Sequence, residues 1–188
     1  MLERLQRETA SHHHGADEDQ LSIVTAGSTA GRYADYLVRI HGFEAGFDAA
    51  VGDAAAPFDV RERVQITAIQ SDLRALGVVD APTLAGPHVM RAPEALGWLY
   101  VIERARRLHG LIERHLRSRL PSALTGADAY LTRTRTTGKR WRELGEAMDE
   151  IVITPRHAQR VVDAARLAFR CRRAWHAGAL RSAPRLVA

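Results

Sequence analysis

Residues 93–120, PEALGWLYVIERARRLHGLIERHLRSRL, decide the fold class of this chain of 188 residues. Apolar side chains recur along this stretch at intervals of three and four, which is the spacing of one face of an α-helix. Pro93 fits the first helical turn, where its missing N–H costs no hydrogen bond, and Pro121 follows the last residue. The stretch therefore predicts one long helix from Pro93 to Leu120.

The same helical spacing continues on both sides of this stretch, whereas alternation at period two is nearly absent. We therefore expect an all-α protein, a multi-helix bundle in a single domain over residues 1–178, with a loose C-terminal tail at 179–188. The Pro- and Gly-containing residues 78–92 are expected to form a connecting loop. Further helices are expected near residues 2–23, 33–51, 60–76, 127–133 and 140–151, and after the capping residue Thr154.

Composition limits the classes of protein that the chain can belong to. With 46% hydrophobic residues it can build one real core, and no apolar run is long enough for a membrane span or a secretory signal, so the cytoplasm is the expected location. Cys171 is the single cysteine, which excludes an intrachain disulfide. Arginines give a net charge of +5, but glutamates interrupt the basic clusters as on solvated helix faces, so no nucleic-acid partner is expected.

Three histidines follow one another within the first predicted helix, in ETASHHHGADED (residues 8–19). Adjacent helical residues point about 100° apart, so only one of the three can aim squarely into a bundle. His13 continues an apolar stripe, and His12 and His14 are then flanking positions at the edge. The earlier members of this stripe are Leu2, Leu5 and Thr9. A histidine on such a stripe is either a core residue with satisfied hydrogen bonds or a ligand.

Four segments, in this order along the chain, resemble the biliverdin-forming heme oxygenases, especially the bacterial branch associated with phytochromes. The segments are LQRETASHH (5–13), YADYLVRIHGFEAGFDAAV (33–51), ALGWLYVIE (95–103) and WRELGEAMDEIVITPRHAQRVVDAARLAF (141–169). Together they cover most of residues 2–176. The resemblance implies a heme-oxygenase-like helical bundle.

The resemblance also implies a cofactor, a reaction and partners. The pattern Leu-x-x-x-Thr-x-x-x-His makes His13 the proximal ligand of the heme iron, through an imidazole nitrogen. Heme is both cofactor and substrate in this family, and it is cleaved to biliverdin, carbon monoxide and iron. No flavin or nicotinamide fingerprint is present, so an external reductase of the ferredoxin or flavoprotein type would supply electrons. A bacteriophytochrome would be the acceptor of the bilin.

The chain departs from the family where the distal helix should carry glycines over the heme face. Arg104, Leu108 and His109 stand at those positions. Glycines there would let the backbone lie against the macrocycle and leave room for dioxygen. If His109 faces His13 across the cavity, it would take the sixth position on iron and give a bis-histidine heme protein. The other interpretation is a surface histidine on an Arg-rich helix.

Cations at the pocket rim would meet the heme propionates. The Trp141-Arg142 pair nominates Arg142, with Lys139 one turn away, while Arg7 is a looser candidate near the N-terminus. Each of these cations can equally be an ordinary surface charge. Tyr100 is a candidate for the lining of the tetrapyrrole, although an aromatic residue at helical spacing is more often part of the core.

Three functions remain open at this point. The resemblance favours heme oxygenase activity. The substituted distal positions leave two alternatives on the same fold: a non-catalytic heme- or bilin-binding protein, and a degenerate helical interaction module.

Overall fold

The computed structural model describes residues 1–51, 63–85, 91–134 and 137–179. These ranges contain ten helices and no β-strand, which confirms the all-α prediction. The predicted tail lies outside the described residues from 180 onward. The helices are α1 Leu2–Glu8, α2 Ala10–Thr25, α3 Ala30–Val51, α4 Ile66–Ala75, α5 Ala92–Arg106, α6 His109–Arg119, α7 Pro121–Leu124, α8 Ala129–Arg133, α9 Thr137–Ile151 and α10 Pro155–Ala179.

The long helix predicted over residues 93–120 is in fact two helices, α5 and α6, so its predicted continuity is wrong. At the junction the N–H of Arg107 bonds the carbonyl of Arg104, and the N–H of Leu108 bonds the carbonyl of Ala105. These are bonds to the third preceding residue, which make a tighter turn than an α-helix. No glycine or proline marks the junction in the sequence, so the local pattern could not reveal it.

The predicted N-terminal helix is also interrupted, at Thr9 between α1 and α2. The Thr9 side chain is fully buried, and its hydroxyl donates a 2.7 Å hydrogen bond to the Leu5 carbonyl. The helix predicted near residues 60–76 begins only at Ile66, and residues 60–62 lie outside the described ones. The helices predicted near 33–51, 127–133 and 140–151 agree with α3, α8 and α9 within three residues. Thr154 caps α10 as predicted, because its hydroxyl accepts a 3.1 Å hydrogen bond from the N–H of His157.

Helix α5 lies at the centre of the bundle. Only Ala92, Glu94 and Arg104 of its residues are not buried, so the helix is covered on nearly all sides. Its closest neighbour is α10, and the two backbones approach at Gly97. A Cβ atom on Gly97 would lie 2.4 Å from the carbonyl oxygen of Val161 and 2.8 Å from the Cβ of Ala164. The absence of a side chain at Gly97 therefore sets the distance between α5 and α10.

A network of buried charges ties α5 to the rest of the bundle. The buried Arg106 guanidinium donates hydrogen bonds of 2.8 and 2.9 Å to the two carboxylate oxygens of Glu44 and one of 3.1 Å to Glu103. Arg140 donates a 2.7 Å bond to Glu103, and the Tyr130 hydroxyl donates a 3.0 Å bond to Glu44. Burial lowers the pKa of Arg106, but the combined effects of Glu44, Tyr130 and Glu103 raise the pKa overall. This arginine is a structural residue that joins α3 to α5.

We expect Gly97→Ala to destabilise the protein by roughly 1–3 kcal/mol, because the added methyl group meets backbone atoms of α10 that cannot move aside independently. The matched control is Gly178→Ala in α10, where a Cβ atom meets nothing within 4 Å. That change should be neutral or stabilise the protein by up to about 1 kcal/mol. Urea unfolding of both variants measures the difference. Equal effects of the two substitutions would show that the α5–α10 contact is not tight.

Candidate functional site

His13 lies half-buried on α2, facing α5 and α10. Its Nε2 atom is 3.0 Å from the Thr9 hydroxyl oxygen and 3.3 Å from the Tyr100 hydroxyl oxygen, and its ring centroid is 5.8 Å from that of Phe169. The Thr9 hydroxyl gives its proton to the Leu5 carbonyl, so we assign the proton of the His13 ring to Nε2. Two of the predicted site residues, His13 and Tyr100, are thus brought together.

The His13 imidazole is held in its neutral form. Burial lowers its pKa, and the nearby Arg104 guanidinium lowers it further, which outweighs the opposite effect of Asp17. A neutral imidazole is the form that can bind a metal ion. The hydrogen bonds at Nε2 nevertheless occupy one of the two ring nitrogens that could do so.

Arg104 occupies the space beside His13. Its guanidinium donates hydrogen bonds of 2.6 and 2.9 Å to the two carboxylate oxygens of Asp17, one turn beyond His13 on α2. Burial raises the pKa of Asp17, but these hydrogen bonds outweigh it and hold the pKa below its usual value. The side chain predicted to stand over a heme face therefore joins α5 to α2.

The helices on the two sides of this bridge are directly packed. Residues of α2 have Cα atoms within 8 Å of Cα atoms in both α5 and α6. Helices in direct contact have axes about 8–10 Å apart. A flat macrocycle does not fit between them as a separate layer.

His109 does not approach His13. It is 1% exposed, its Nδ1 lies 2.7 Å from the Thr134 hydroxyl oxygen, and its ring meets the Tyr130 ring edge-on at 5.1 Å. None of these contacts involves a partner of His13. Burial and the neighbouring Arg106 hold the pKa of His109 far below its usual value. The structure gives no support to an arrangement in which His13 and His109 both bind one iron. Because His109 is buried, the alternative prediction of a surface histidine is wrong as well.

The predicted rim cations do not converge on His13. Arg142 and Arg7 are exposed, and Lys139 is an exposed residue whose ammonium lies 3.6 Å from a carboxylate oxygen of Glu143. All three have the surroundings of surface charges.

A groove of about 470 Å³ runs between α2 and α10 on the other side of Phe169. The rings of His12 and Phe169 stack in its wall, with centroids 5.4 Å apart and planes 10° apart. Burial lowers the pKa of His12, and Arg170 lowers it further. The polar and aromatic lining comes from His12, Asp19, Phe169, Arg170, Arg172 and Arg173, and three alanines complete it.

Arg172 is the residue of this groove that the sequence analysis missed. It is 6% exposed, and no hydrogen bond or ion pair joins it to any residue in the described part of the chain. Burial lowers its pKa, and the carboxylates of Asp19 and Glu44 act on it only through space. The sequence holds a signal: Arg172 follows Phe169 by three residues and Ala165 by seven, which places a charge on the apolar face of α10.

Other buried polar atoms also lack hydrogen-bond partners among the described residues. They are the Tyr36 hydroxyl, Nε2 of His109 and both ring nitrogens of His176. Arg172 affects the pKa of each of these three side chains, so all lie within its electrostatic reach. These side chains thus have hydrogen-bonding capacity that the described part of the chain does not use.

Comparison with protein-family models, with curated proteins and with solved structures finds no match to this chain. The likeness to heme oxygenases therefore remains a prediction from the segments quoted above. Among the described residues, no three His, Cys, Asp or Glu side chains are grouped as they would be around a metal ion. No helix in the described ranges has both the length and the apolar composition needed to cross a membrane.

The buried histidines predict a dependence of stability on pH. Burial holds the pKa values of His109 and His176 well below 6.5 in the folded chain. Below pH 6.5 the unfolded chain takes up protons that the folded chain does not, so the stability present above that pH is lost as the pH falls. Each such group contributes up to about 1.4 kcal/mol per pH unit.

Urea unfolding between pH 7.5 and 5.5 measures this loss. His176→Gln should make the decline with falling pH less steep, whereas the same change at the exposed His14 should leave it unaltered. An unchanged pH dependence in His176→Gln would show that the pKa of this histidine is the same in the folded and unfolded chains.

Proposed function

We propose that the chain is a heme-oxygenase-like protein that binds heme or a bilin without cleaving heme. The proposal rests on the ordered sequence segments and is supported by the all-helical bundle. The observation that carries it is the surroundings of His13. Its imidazole is neutral and lies inside the bundle, but the space facing it is filled.

Binding is supported by the residues around Phe169, which contacts both His12 and His13. Heme would supply an iron atom that takes an imidazole nitrogen. His13 is the predicted ligand, and it would bind through Nε2 once the proton on that atom moves to Nδ1 and the Thr9 and Tyr100 hydroxyls release it. Arg170 and Arg173, at the rim of the groove, suit the propionates better than Arg142 or Lys139 does.

Loss of cleavage is supported by the bridge between Arg104 and Asp17. An oxygenase needs a gap over the iron face that is wide enough for dioxygen, and glycines provide it in the family that this chain resembles. Here a guanidinium with two short hydrogen bonds fills that place. Opening the gap would break a bidentate ion pair, which is among the stronger polar contacts in proteins.

Heme cleavage is the second candidate function, and one observation favours it. The break between α5 and α6 lies at Arg107 and Leu108, at the level of the substituted glycines. A helix interruption can bend the chain over a macrocycle as glycines do. This candidate would require an external reductase of the ferredoxin or flavoprotein type.

An absorbance titration with hemin tests the proposal. We expect the chain to bind hemin at about micromolar concentration, with a Soret band typical of an imidazole ligand. His13→Ala should weaken binding by at least about tenfold, because the iron–nitrogen bond is lost. His14→Ala is the control, since His14 is an exposed neighbour paired with Glu18. Tyr100→Phe should strengthen binding, because one hydroxyl that contacts Nε2 is removed.

A second step separates the two candidates. Addition of ascorbate or of a ferredoxin reductase system to the hemin complex should leave the heme intact. Formation of a bilin under these conditions would establish cleavage and contradict the proposal. Failure to bind either hemin or biliverdin would leave the chain as a helical interaction module.

A further inference from the structure

The groove between α2 and α10 is lined by the buried Arg172, whose guanidinium forms no hydrogen bond or ion pair with any described residue. The same bundle buries Arg106 against Glu44 and Glu103, with a hydrogen bond from Arg106 to each carboxylate. Arg172 is buried to a similar degree, but it has no such partner. An unpaired buried charge is costly, and a carboxylate from outside the chain would remove that cost.

The surroundings of Arg172 indicate the shape of the ligand that would bring the carboxylate. The stacked rings of His12 and Phe169 form a flat wall of the groove. Arg170 and Arg173 stand exposed at its rim, so a second anionic group would meet positive charge there. A flat apolar body with carboxylate arms fits this combination. The volume of about 470 Å³ lies within the usual range of roughly 300–1,000 Å³ for small-molecule sites.

We propose that this groove is a carboxylate-recognition site, in which Arg172 binds one carboxylate of a flat, amphipathic anion that lies on Phe169 and His12. Given the proposed function, on which the identity of the ligand rests, that anion is a tetrapyrrole held by its propionates. Iron is not required for this recognition. The metal-free bilin is therefore also a ligand, although it lacks the bond between iron and His13.

Two buried side chains within the electrostatic reach of Arg172 are Tyr36 and His176. The Tyr36 hydroxyl is a donor, and the His176 ring has a donor and an acceptor, none of them bonded to a described residue. Because burial and Arg172 lower the pKa of His176, this ring is neutral and adds no charge of its own. The positive charge that attracts the ligand in the interior is that of Arg172.

Titration of the full chain with biliverdin and with biliverdin dimethyl ester tests the proposal. The free acid should bind about 10- to 100-fold more tightly than the ester, which is the usual strength of a hydrogen bond to a charged group. Arg172→Met should weaken biliverdin binding by a similar factor and leave ester binding unchanged. Arg114→Met, on the exposed face of α6, is the control and should change neither.

Thermal unfolding of the ligand-free variants shows that the loss is not a loss of fold. Arg172→Met removes an unpaired buried charge and keeps an apolar chain of similar length, so its melting temperature should equal or exceed that of the parent. A large decrease would mean that Arg172 has a partner in the folded protein and would overturn the inference.

A simpler probe separates this inference from the proposed function. 1-Pyrenebutyrate carries a flat apolar ring system and one carboxylate, and 1-pyrenebutanol lacks the charge. Suppose that the parent binds pyrenebutyrate but neither hemin nor biliverdin, and that Arg172→Met loses pyrenebutyrate binding. This result would support the carboxylate site and refute a tetrapyrrole as its ligand. The opposite outcome is also distinguishable. If hemin binding depends on His13, but Arg172→Met and the parent bind biliverdin and pyrenebutyrate with equal affinity, the carboxylate site is refuted and the proposed function stands.

Discussion

The contact between α5 and α10 at Gly97 is the constraint on which the rest of the structure depends. Because Gly97 has no side chain, the two helices lie close enough for the carbonyl of Val161 to reach the backbone of α5. That contact fixes the position of α10 along its own axis relative to α5. Phe169 and Arg172 are then presented to α2, two and three turns further along the helix. The His13 site and the groove beside it are both consequences of this one close approach.

Two buried arginines, Arg106 and Arg172, differ in whether a carboxylate of the described chain pairs with them. Arg106 is matched by carboxylates and connects α3 with α5, so its charge belongs to the fold. Arg172 lies equally deep on the other side of the bundle without a matching carboxylate. The imbalance is the reason for assigning the groove a ligand.

The sequence predicted the architecture better than the site. Helical spacing located most helices, because burial of one face repeats along each of them. The apolar stripe predicted that His13 points into the bundle, and its ring lies half-buried against Tyr100 and Phe169. The pairing of Arg104 with Asp17 could not be foreseen, since it joins residues 87 positions apart on different helices. The position of His109 depended on α8, whose packing has no local signal. Arg172 was visible as a charge on an apolar face, but only the structure shows that no partner meets it.

A crystal structure of the chain with bound biliverdin tests the central claim most directly. The account predicts the bilin between α2 and α10, with a propionate on the Arg172 guanidinium, one face on Phe169, and the hydrogen bonds between Arg104 and Asp17 intact. A bilin found between α2 and α5, with Arg104 displaced from Asp17 and no carboxylate near Arg172, would contradict it.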